Sequence, residues 1–184
     1  GALNVATAHS VEPLQFLLGR ITDVCAAAGT LLPDDHYADT GAPFKWAAKD
    51  TVSVLARLEG GVQGTIHVSN LSTQQGGFHL DVFGSSGQLV VAAPRYISYT
   101  PARVYRARHN RPELETLPIP ERYFHPSGLS EDETGFNISQ ALTELTRSHW
   151  EGSDFHPNFS DGYRLHCLIQ AIGRSSETQG WISV

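Results

Sequence analysis

A histidine close to the N-terminus is the residue best placed to do chemistry. The segment GALNVATAHSVEPLQFLLG predicts an apolar strand from Ala2 to Ala8, then His9, then a helix that ends at Gly19. A histidine with an ordinary pKa of about 6.5 can take up or release a proton near neutral pH. His9 could therefore act as a general acid or base, or could simply bind a backbone carbonyl at the start of the helix.

Glu12 and three residues of a later loop are further candidates. Glu12 lies three residues after His9, so it shares a helical face with His9 and could orient the imidazole. Lys45 and Lys49 flank Trp46 just before the first predicted hairpin. Judged by residue type alone, these lysines are solvated side chains around a packed indole.

Other candidate ligands and nucleophiles give weaker signals. His67 alternates onto the strand face opposite its apolar neighbours, which favours an interface over a pocket. We predict no metal site, because the short spacing of zinc ligands is missing from His125, His149 and His156. No G-x-S-x-G segment supports Ser-His-Asp catalysis.

Composition indicates a globular protein with one domain, 1–184. The chain has 184 residues, of which 40% are hydrophobic and 17% charged, and its net charge is -6. This charge argues against nucleic acid as a partner, since neutralising phosphates requires a basic surface. One group of arginines lies among acids and prolines and predicts a solvated loop: Arg103, Arg106, Arg108 and Arg111.

Targeting signals are not evident in the sequence. No apolar run approaches the roughly 18 residues of a membrane span, and no signal peptide opens the chain. The two cysteines, Cys25 and Cys167, are predicted to be reduced core residues, so we expect a cytoplasmic protein. Because the chain opens inside an apolar element rather than with Met, we also expect that a further segment precedes it.

Hydrophobic periodicity predicts an α+β fold with an open, largely antiparallel sheet. Helices are predicted to pack on one face of this sheet, which leaves the other face for oligomerisation through positions such as Leu55, His67 and Leu80. The predicted strands of the sheet are 51–58, 62–71, 78–84 and 88–92. The predicted helices are 10–18, 136–150 and 160–173.

Local signals assign the remaining segments. Ser10 is the predicted N-cap of the first helix, which places Pro13 at its third position, where no N–H is needed. Ser160 and Asp161 are predicted to cap the last helix. Further strands are predicted at 21–32 and 181–184 and a possible pair at 97–100 and 103–106, whereas loops are predicted at 33–44 and 109–134.

Four stretches carry a resemblance to a known family. They are the His9-Ser10-Val11-Glu12 segment with LQFLLG, the pair KDTVSVLARLEGGVQGTIHVS, the hairpin LDVFGSSGQLVV and the C-terminal NFSDGYRLHCLIQAIGRSSETQGWISV. In this order they resemble the C-terminal domain of the Gfo/Idh/MocA family of NAD(P)-dependent oxidoreductases. The first segment is most similar to members related to the Gal80-type regulators.

The resemblance implies roles for the candidate residues. It identifies His9 as the catalytic acid or base on a sugar-like or small hydroxylated or carbonyl substrate. The loop before the first hairpin resembles one that borders the family's active site. The implied substrate-binding residues are therefore Glu12, Lys45, Trp46 and Lys49. The resemblance also implies a homo-oligomer formed through the sheet face.

Two features depart from the family pattern. Family members carry an N-terminal Rossmann domain that holds NAD or NADP, but here the segments GGVQG and GSSG lie in hairpins, and neither opens a helix. We therefore expect no tight dinucleotide binding and no dehydrogenase activity from this chain alone. Many family dehydrogenases also have an aspartate four residues before the histidine, where this chain has Val5.

Three functions remain open on the sequence alone. The chain could be the substrate-binding and oligomerisation domain of an oxidoreductase. It could instead be a cofactor-free isomerase, lyase or cyclase that uses the same pocket. It could also be a non-enzymatic, Gal80-like regulatory module, which Val5 favours somewhat.

Overall fold

The computed structural model describes residues 1–72, 76–97, 100–124, 128–130, 133 and 135–184. Two compact units divide the chain, one formed by 1–72 with 157–184 and the other by 73–156. Three α-helices and antiparallel strands confirm the predicted α+β class. The single domain 1–184 stays a prediction. No membrane-spanning segment is found among the helices of the described ranges.

The first unit is built on a four-stranded antiparallel sheet with the order β10-β1-β4-β5. Its strands are β1 (Ile21–Gly29), β4 (Thr51–Leu58), β5 (Gln63–Ser69) and β10 (Ile182–Ser183). Strand β4 alternates strictly, with the side chains of Val52, Val54, Ala56 and Leu58 buried and the intervening ones facing outward. This period of two confirms the predicted hairpin 51–58 with 62–71.

Helix α3 (Phe159–Thr178) covers the inner face of this sheet at β1. Leu168, Ile169 and Ile172 are buried in one core with the inward side chains of β1 and β4. The predicted apolar stripe is therefore confirmed. The predicted cap is wrong by two residues, because Asn158 is the N-cap and forms a capping box with Asp161.

Helix α1 (Ala8–Leu18) corrects the prediction for the N-terminal segment. Residues Ala2–Thr7 form a π-helical segment that leads directly into α1, so no strand precedes His9. An apolar run of this length does not distinguish strand from helix by periodicity, and its alanines favour the helix. Ser10 is therefore not an N-cap: its hydroxyl lies within the helix and donates to the Ala6 carbonyl at 2.8 Å. Gly19 ends the helix as predicted, with φ of 95°.

A small hairpin occupies the segment 33–44 that was predicted to be a loop. Strand β2 (Asp34–His36) pairs antiparallel with β3 (Pro43–Lys45). Aromatic packing stabilises it, since the rings of Tyr37 and Phe44 lie 4.6 Å apart between centroids. The strands are too short for a period-two pattern, so no hairpin signal is visible in this segment of the sequence.

The second unit contains its own four-stranded antiparallel sheet with the order β6-β7-β8-β9. Its strands are β6 (Phe78–Gly84), β7 (Gly87–Ala93), β8 (Arg103–Arg108) and β9 (Arg111–Leu117). The predicted hairpin 78–84 with 88–92 is thus confirmed. The prediction that it shares one sheet with the hairpin 51–58 and 62–71 is wrong, because each hairpin belongs to a separate sheet. Leu80 accordingly lies in a different sheet from Leu55 and His67.

Strands β8 and β9 correct two loop predictions. The arginine cluster 103–111 lies on paired strands, not in a solvated loop, and β9 occupies part of the predicted loop 109–134. Pro112 obscured β9 in the sequence, but β9 is an edge strand, where a residue without an N–H is tolerated. The predicted strand 97–100 falls partly on Ser98 and Tyr99, which lie outside the described residues.

Helix α2 (Phe136–Glu151) matches its predicted range and belongs to the second unit. Its apolar stripe is exposed in the structure, at Ile138, Leu142 and Leu145. That α2 packs on the same sheet face as the other two helices therefore stays a prediction.

Truncating the central core leucine tests this assignment of the first unit. Leu168 is fully buried, so Leu168→Ala should lower the free energy of unfolding by about 2–5 kcal/mol. Leu17→Ala, on an exposed helical leucine, is the matched control and should change it by less than about 1 kcal/mol. Urea denaturation followed by circular dichroism measures both. Equal losses in the two variants would contradict the proposed core.

Candidate functional site

The candidate histidine lies on the outward side of α1. The side chain of Val11 is fully buried in the core, and this orients the opposite side of the helix to solvent. His9 is exposed, and so are Val5 and Phe16, which lie four residues before it and seven after it. Glu12 is partly exposed on the same side. The helix thus presents an imidazole among exposed apolar side chains, with Val5 one turn before it.

Main-chain contacts hold the start of this helix against the loop before β4. The N–H of Ala2 donates to the carbonyl of Lys49 at 2.6 Å. A Cβ on Gly1 would lie 2.7 Å from the Cβ of Ala48, so only glycine allows this approach. The buried Thr7 hydroxyl closes the π-helical turn by donating to the Ala2 carbonyl at 2.9 Å.

Pro13 leaves a distinctive feature beside the candidate histidine. It lies inside α1 rather than at the third position of the helix as predicted. Because proline has no N–H, Pro13 cannot donate to the carbonyl of His9, four residues earlier. A π-helical turn that precedes a proline-interrupted helix is an irregularity of the kind that often occurs at functional sites.

Lys45 and Trp46 are held by the β2–β3 hairpin. The Lys45 ammonium lies 3.1 Å from Asp34 Oδ1, in an exposed ion pair. The Trp46 indole N–H donates to Asp35 Oδ2 at 2.8 Å, and the ring packs edge-on against Phe44. The indole and the backbone N–H of His36 lower the pKa of Asp35, in that order of effect. The prediction of a packed indole is only partly met, since Trp46 is half exposed.

Asp50 closes the loop that carries these residues, and sequence reasoning missed it. Its carboxylate accepts the N–H of Leu32 at 3.0 Å and the N–H of Leu31 at 2.8 Å. These bonds lower the pKa of Asp50 below its ordinary 3.8, with Leu32 as the largest cause. The backbone N–H of Asp50 also donates to the Gly29 carbonyl at 2.9 Å. The signal that could have found it is an aspartate between a loop and a strand, where carboxylates bind backbone N–H groups.

The predicted site residues therefore fall into two groups. His9 and Glu12 lie on α1, and the backbone of Lys49 contacts the helical segment that leads into α1. Lys45 and Trp46 have their described contacts within the β2–β3 hairpin. Both groups belong to the first unit, and the Asp50 loop links them along the chain.

The remaining candidates occupy positions of other kinds. His67 lies on the outer face of the first sheet, as predicted, and its Nδ1 is 3.0 Å from the Ser53 hydroxyl. His149 stacks edge-on against Trp150, whereas His125 lies outside the described residues. Among the described residues no cluster of His, Cys, Asp and Glu is arranged to hold a metal ion. Cys25 and Cys167 are free and only partly buried, so they are not the core residues predicted.

The comparisons with known proteins agree with the motifs in the sequence. Residues 1–90 match the family model described as the GFO/IDH/MocA C-terminal domain. The predicted resemblance to the C-terminal domain of this family is confirmed over these residues. No curated protein matches the sequence.

Solved structures share the fold over the whole chain. A levoglucosan dehydrogenase in complex with NADH and L-sorbose has a TM-score of 0.80 and 20% identity over 100% of this chain and 50% of its own. An oxidoreductase domain protein from Kribbella flavida has a TM-score of 0.81 and 20% identity, and the match covers 100% of this chain and 51% of that protein. The transcriptional regulator Gal80p from Kluyveromyces lactis has a TM-score of 0.75 and 18% identity, and the match covers 100% of this chain and 45% of that protein. The chain thus spans about half the length of these structures.

The role of Asp50 predicts a pH dependence of stability. Because folding lowers the pKa of this carboxyl, its contribution is complete above 3.8 and is lost as the pH falls through the lower folded value. Asp50→Asn should therefore lower the urea midpoint at pH 7, and the difference from the unmodified protein should shrink progressively as the pH falls below 3.8. Asp39→Asn, an exposed aspartate of the same loop, is the control. A difference that is independent of pH would refute the role of the Asp50 charge.

Proposed function

We propose that this chain is the substrate-binding domain of an NAD(P)-dependent oxidoreductase that acts on a sugar-like or small hydroxylated or carbonyl substrate. The observation that carries the proposal is an exposed histidine on an irregular helix within the segment that matches the family model. Similar structures that contain NADH with levoglucosan or L-sorbose support the substrate class.

His9 takes the proton of the substrate hydroxyl in this mechanism. The exposed imidazole, in its neutral form, can accept that proton as the carbonyl forms. Glu12, one helical turn further on, orients the imidazole and stabilises its protonated form. Trp46 offers an apolar surface for a sugar ring, and Lys45 and Lys49 bind its hydroxyl groups.

The nicotinamide cofactor would be the hydride acceptor, but its pyrophosphate does not fit the two glycine turns found in the described strands. Gly60 and Gly61 join β4 to β5, and Gly84 to Gly87 form the turn between β6 and β7. Both turns connect antiparallel strands, whereas pyrophosphate is bound where a strand turns into a helix N-terminus. We propose that a separate dinucleotide-binding domain supplies this function.

A regulatory function is the second candidate, and Val5 is the observation that favours it. An aliphatic side chain, 57% exposed, occupies the position four residues before His9 where a carboxylate is common in family dehydrogenases. The likeness to Gal80p supports this alternative. Under it, the outward side of α1 binds a ligand or partner without proton transfer.

Substituting the histidine distinguishes the two functions. In the natural full-length protein, His9→Ala should lower the turnover of NAD(P)-dependent oxidation by roughly 100-fold or more, and the melting temperature should change little. Levoglucosan and L-sorbose are the first substrates to test, and Val5→Asp is the companion variant. Full activity in His9→Ala would place the site elsewhere. An absence of oxidation in every variant, with a ligand still bound, would favour the regulatory module.

We further propose that the outer face of the first sheet associates with a second copy of the chain. Leu55 is half exposed on this face, and Cys25 and Thr65 lie directly beside it on the neighbouring strands. Ala27, Ser53 and His67 form the next row across the sheet. Apart from His67, the side chains of these two rows are small or apolar. A sheet face of this kind favours burial against a second copy of the same surface.

Introducing a charge on this face tests the association. The unmodified protein should sediment as a dimer or larger species, and Leu55→Glu should shift it towards monomer, because the carboxylate would be desolvated at the interface. Leu142→Glu, on an exposed leucine of α2, is the control. A clean monomer of the unmodified protein at high micromolar concentration would contradict the proposal.

A further inference from the structure

Three arginines converge at one end of the second sheet. A depression of about 410 Å³ is lined there by Arg106, Arg108, Asn110, Arg111 and Glu115. Arg106 and Arg108 lie on β8, and Arg108 lies directly opposite Arg111 on β9. Since directly paired residues of an antiparallel ladder share a face, Arg108 and Arg111 lie on the same side of the sheet, and Arg106 lines the same depression from beyond a shift in the β8–β9 register.

The charge of this depression is not balanced by the residues that line it. Arg106 Nη2 donates to Glu115 Oε2 at 3.0 Å. The buried Nε of the same arginine has no hydrogen-bond partner in the described part of the chain. No ion pair with a carboxylate is found for Arg108 or Arg111 within the described ranges, so the lining carries an excess of two positive charges. Like charges directly opposite each other destabilise a strand pair.

A glycine lies beside Arg108 on the neighbouring strand. This residue, Gly87 of β7, pairs with Arg108 on one side and with Gly84 on the other. A Cβ on Gly87 would lie 2.1 Å from the carbonyl oxygen of Ala107, so no side chain can stand there. His109 Nε2 lies 3.3 Å from the Gly84 carbonyl and ties the two turns together. On the β7 side, Arg108 therefore has a neighbour without a side chain.

We propose that this depression, the arginine site, binds a small dianion, either a phosphate monoester or a dicarboxylate. Planar guanidinium groups form paired, charge-assisted hydrogen bonds with both kinds of oxyanion. Two negative charges match the excess charge of the lining, and the volume is that of a small-molecule site. The anion relieves the repulsion between Arg108 and Arg111, so binding stabilises the fold. This site is separate in sequence from the His9 site and does not depend on the proposed oxidoreductase activity.

Calorimetric titration of the full chain at low ionic strength tests the proposal, with inorganic phosphate and succinate as the probes. Saturable binding of either is expected, and the tighter of the two identifies the class of dianion. Arg108→Gln and Arg111→Gln should each weaken binding roughly tenfold or more. Glu115→Gln should tighten it, because it removes the one negative charge of the lining. Arg103→Gln, an exposed arginine of the same strand outside the depression, should leave it unchanged.

A second measurement separates binding from a structural role of these arginines. Without anion, the melting temperature of the Arg108→Gln/Arg111→Gln double variant should equal or exceed that of the unmodified protein, because repulsion is removed. Phosphate should raise the melting temperature of the unmodified protein but not that of this double variant. The absence of saturable binding by both probes would overturn the proposal. An equal loss in Arg103→Gln, or a double variant that melts at a lower temperature without anion, would also overturn it.

Discussion

The packing of α3 against β1 is the interaction on which the first unit depends. Strand β10 pairs with only two residues of β1, so most of that edge of β1 lacks a strand neighbour. Two serines of α3 replace it: Ser175 accepts the N–H of Ala26, and Ser176 accepts the N–H of Ala28, both at 2.8 Å. An unpaired buried backbone donor costs about 1–3 kcal/mol. The helix thus supplies both the apolar cover and the hydrogen bonds that a longer edge strand would have made.

This core also determines what the candidate site can present to solvent. Val11 packs into the same core as Leu168 and Ile172, so the rotation of α1 about its axis is set by burial. His9 faces outward as a consequence. The loop before β4 is joined to the helical segment by the backbone of Ala2 and Lys49. This contact involves only the backbone of Lys49, whose side chain is exposed.

The second unit handles its exposed edge in a different way. Strand β9 carries charged side chains and Pro112 along the edge of the sheet, and both features oppose pairing with another strand. These charges differ along the β8–β9 pair. Glu115 forms an ion pair with Arg106, whereas nearer the turn Arg108 lies opposite Arg111. Protection against edge pairing explains the charged strand, but it does not require like charges to face each other. That arrangement is what sets the arginine site apart from an ordinary solvated edge.

The sequence by itself determined those features that depend on local pattern. Three features were visible in the sequence: the alternation along 51–58 and 78–84, the apolar stripe of Leu168 and Ile172, and the family motif around His9. Each of them is contained in a short stretch of the chain. The tertiary structure decided the rest. Ala2–Thr7 is helical rather than extended because Ala2 and Thr7 are both buried in the first unit, one turn apart. Strand β9 exists because β8 offers it an edge, where Pro112 is tolerated. The contacts of Asp50 with Leu31 and Leu32, and the opposition of Arg108 and Arg111, join residues whose proximity no local pattern encodes.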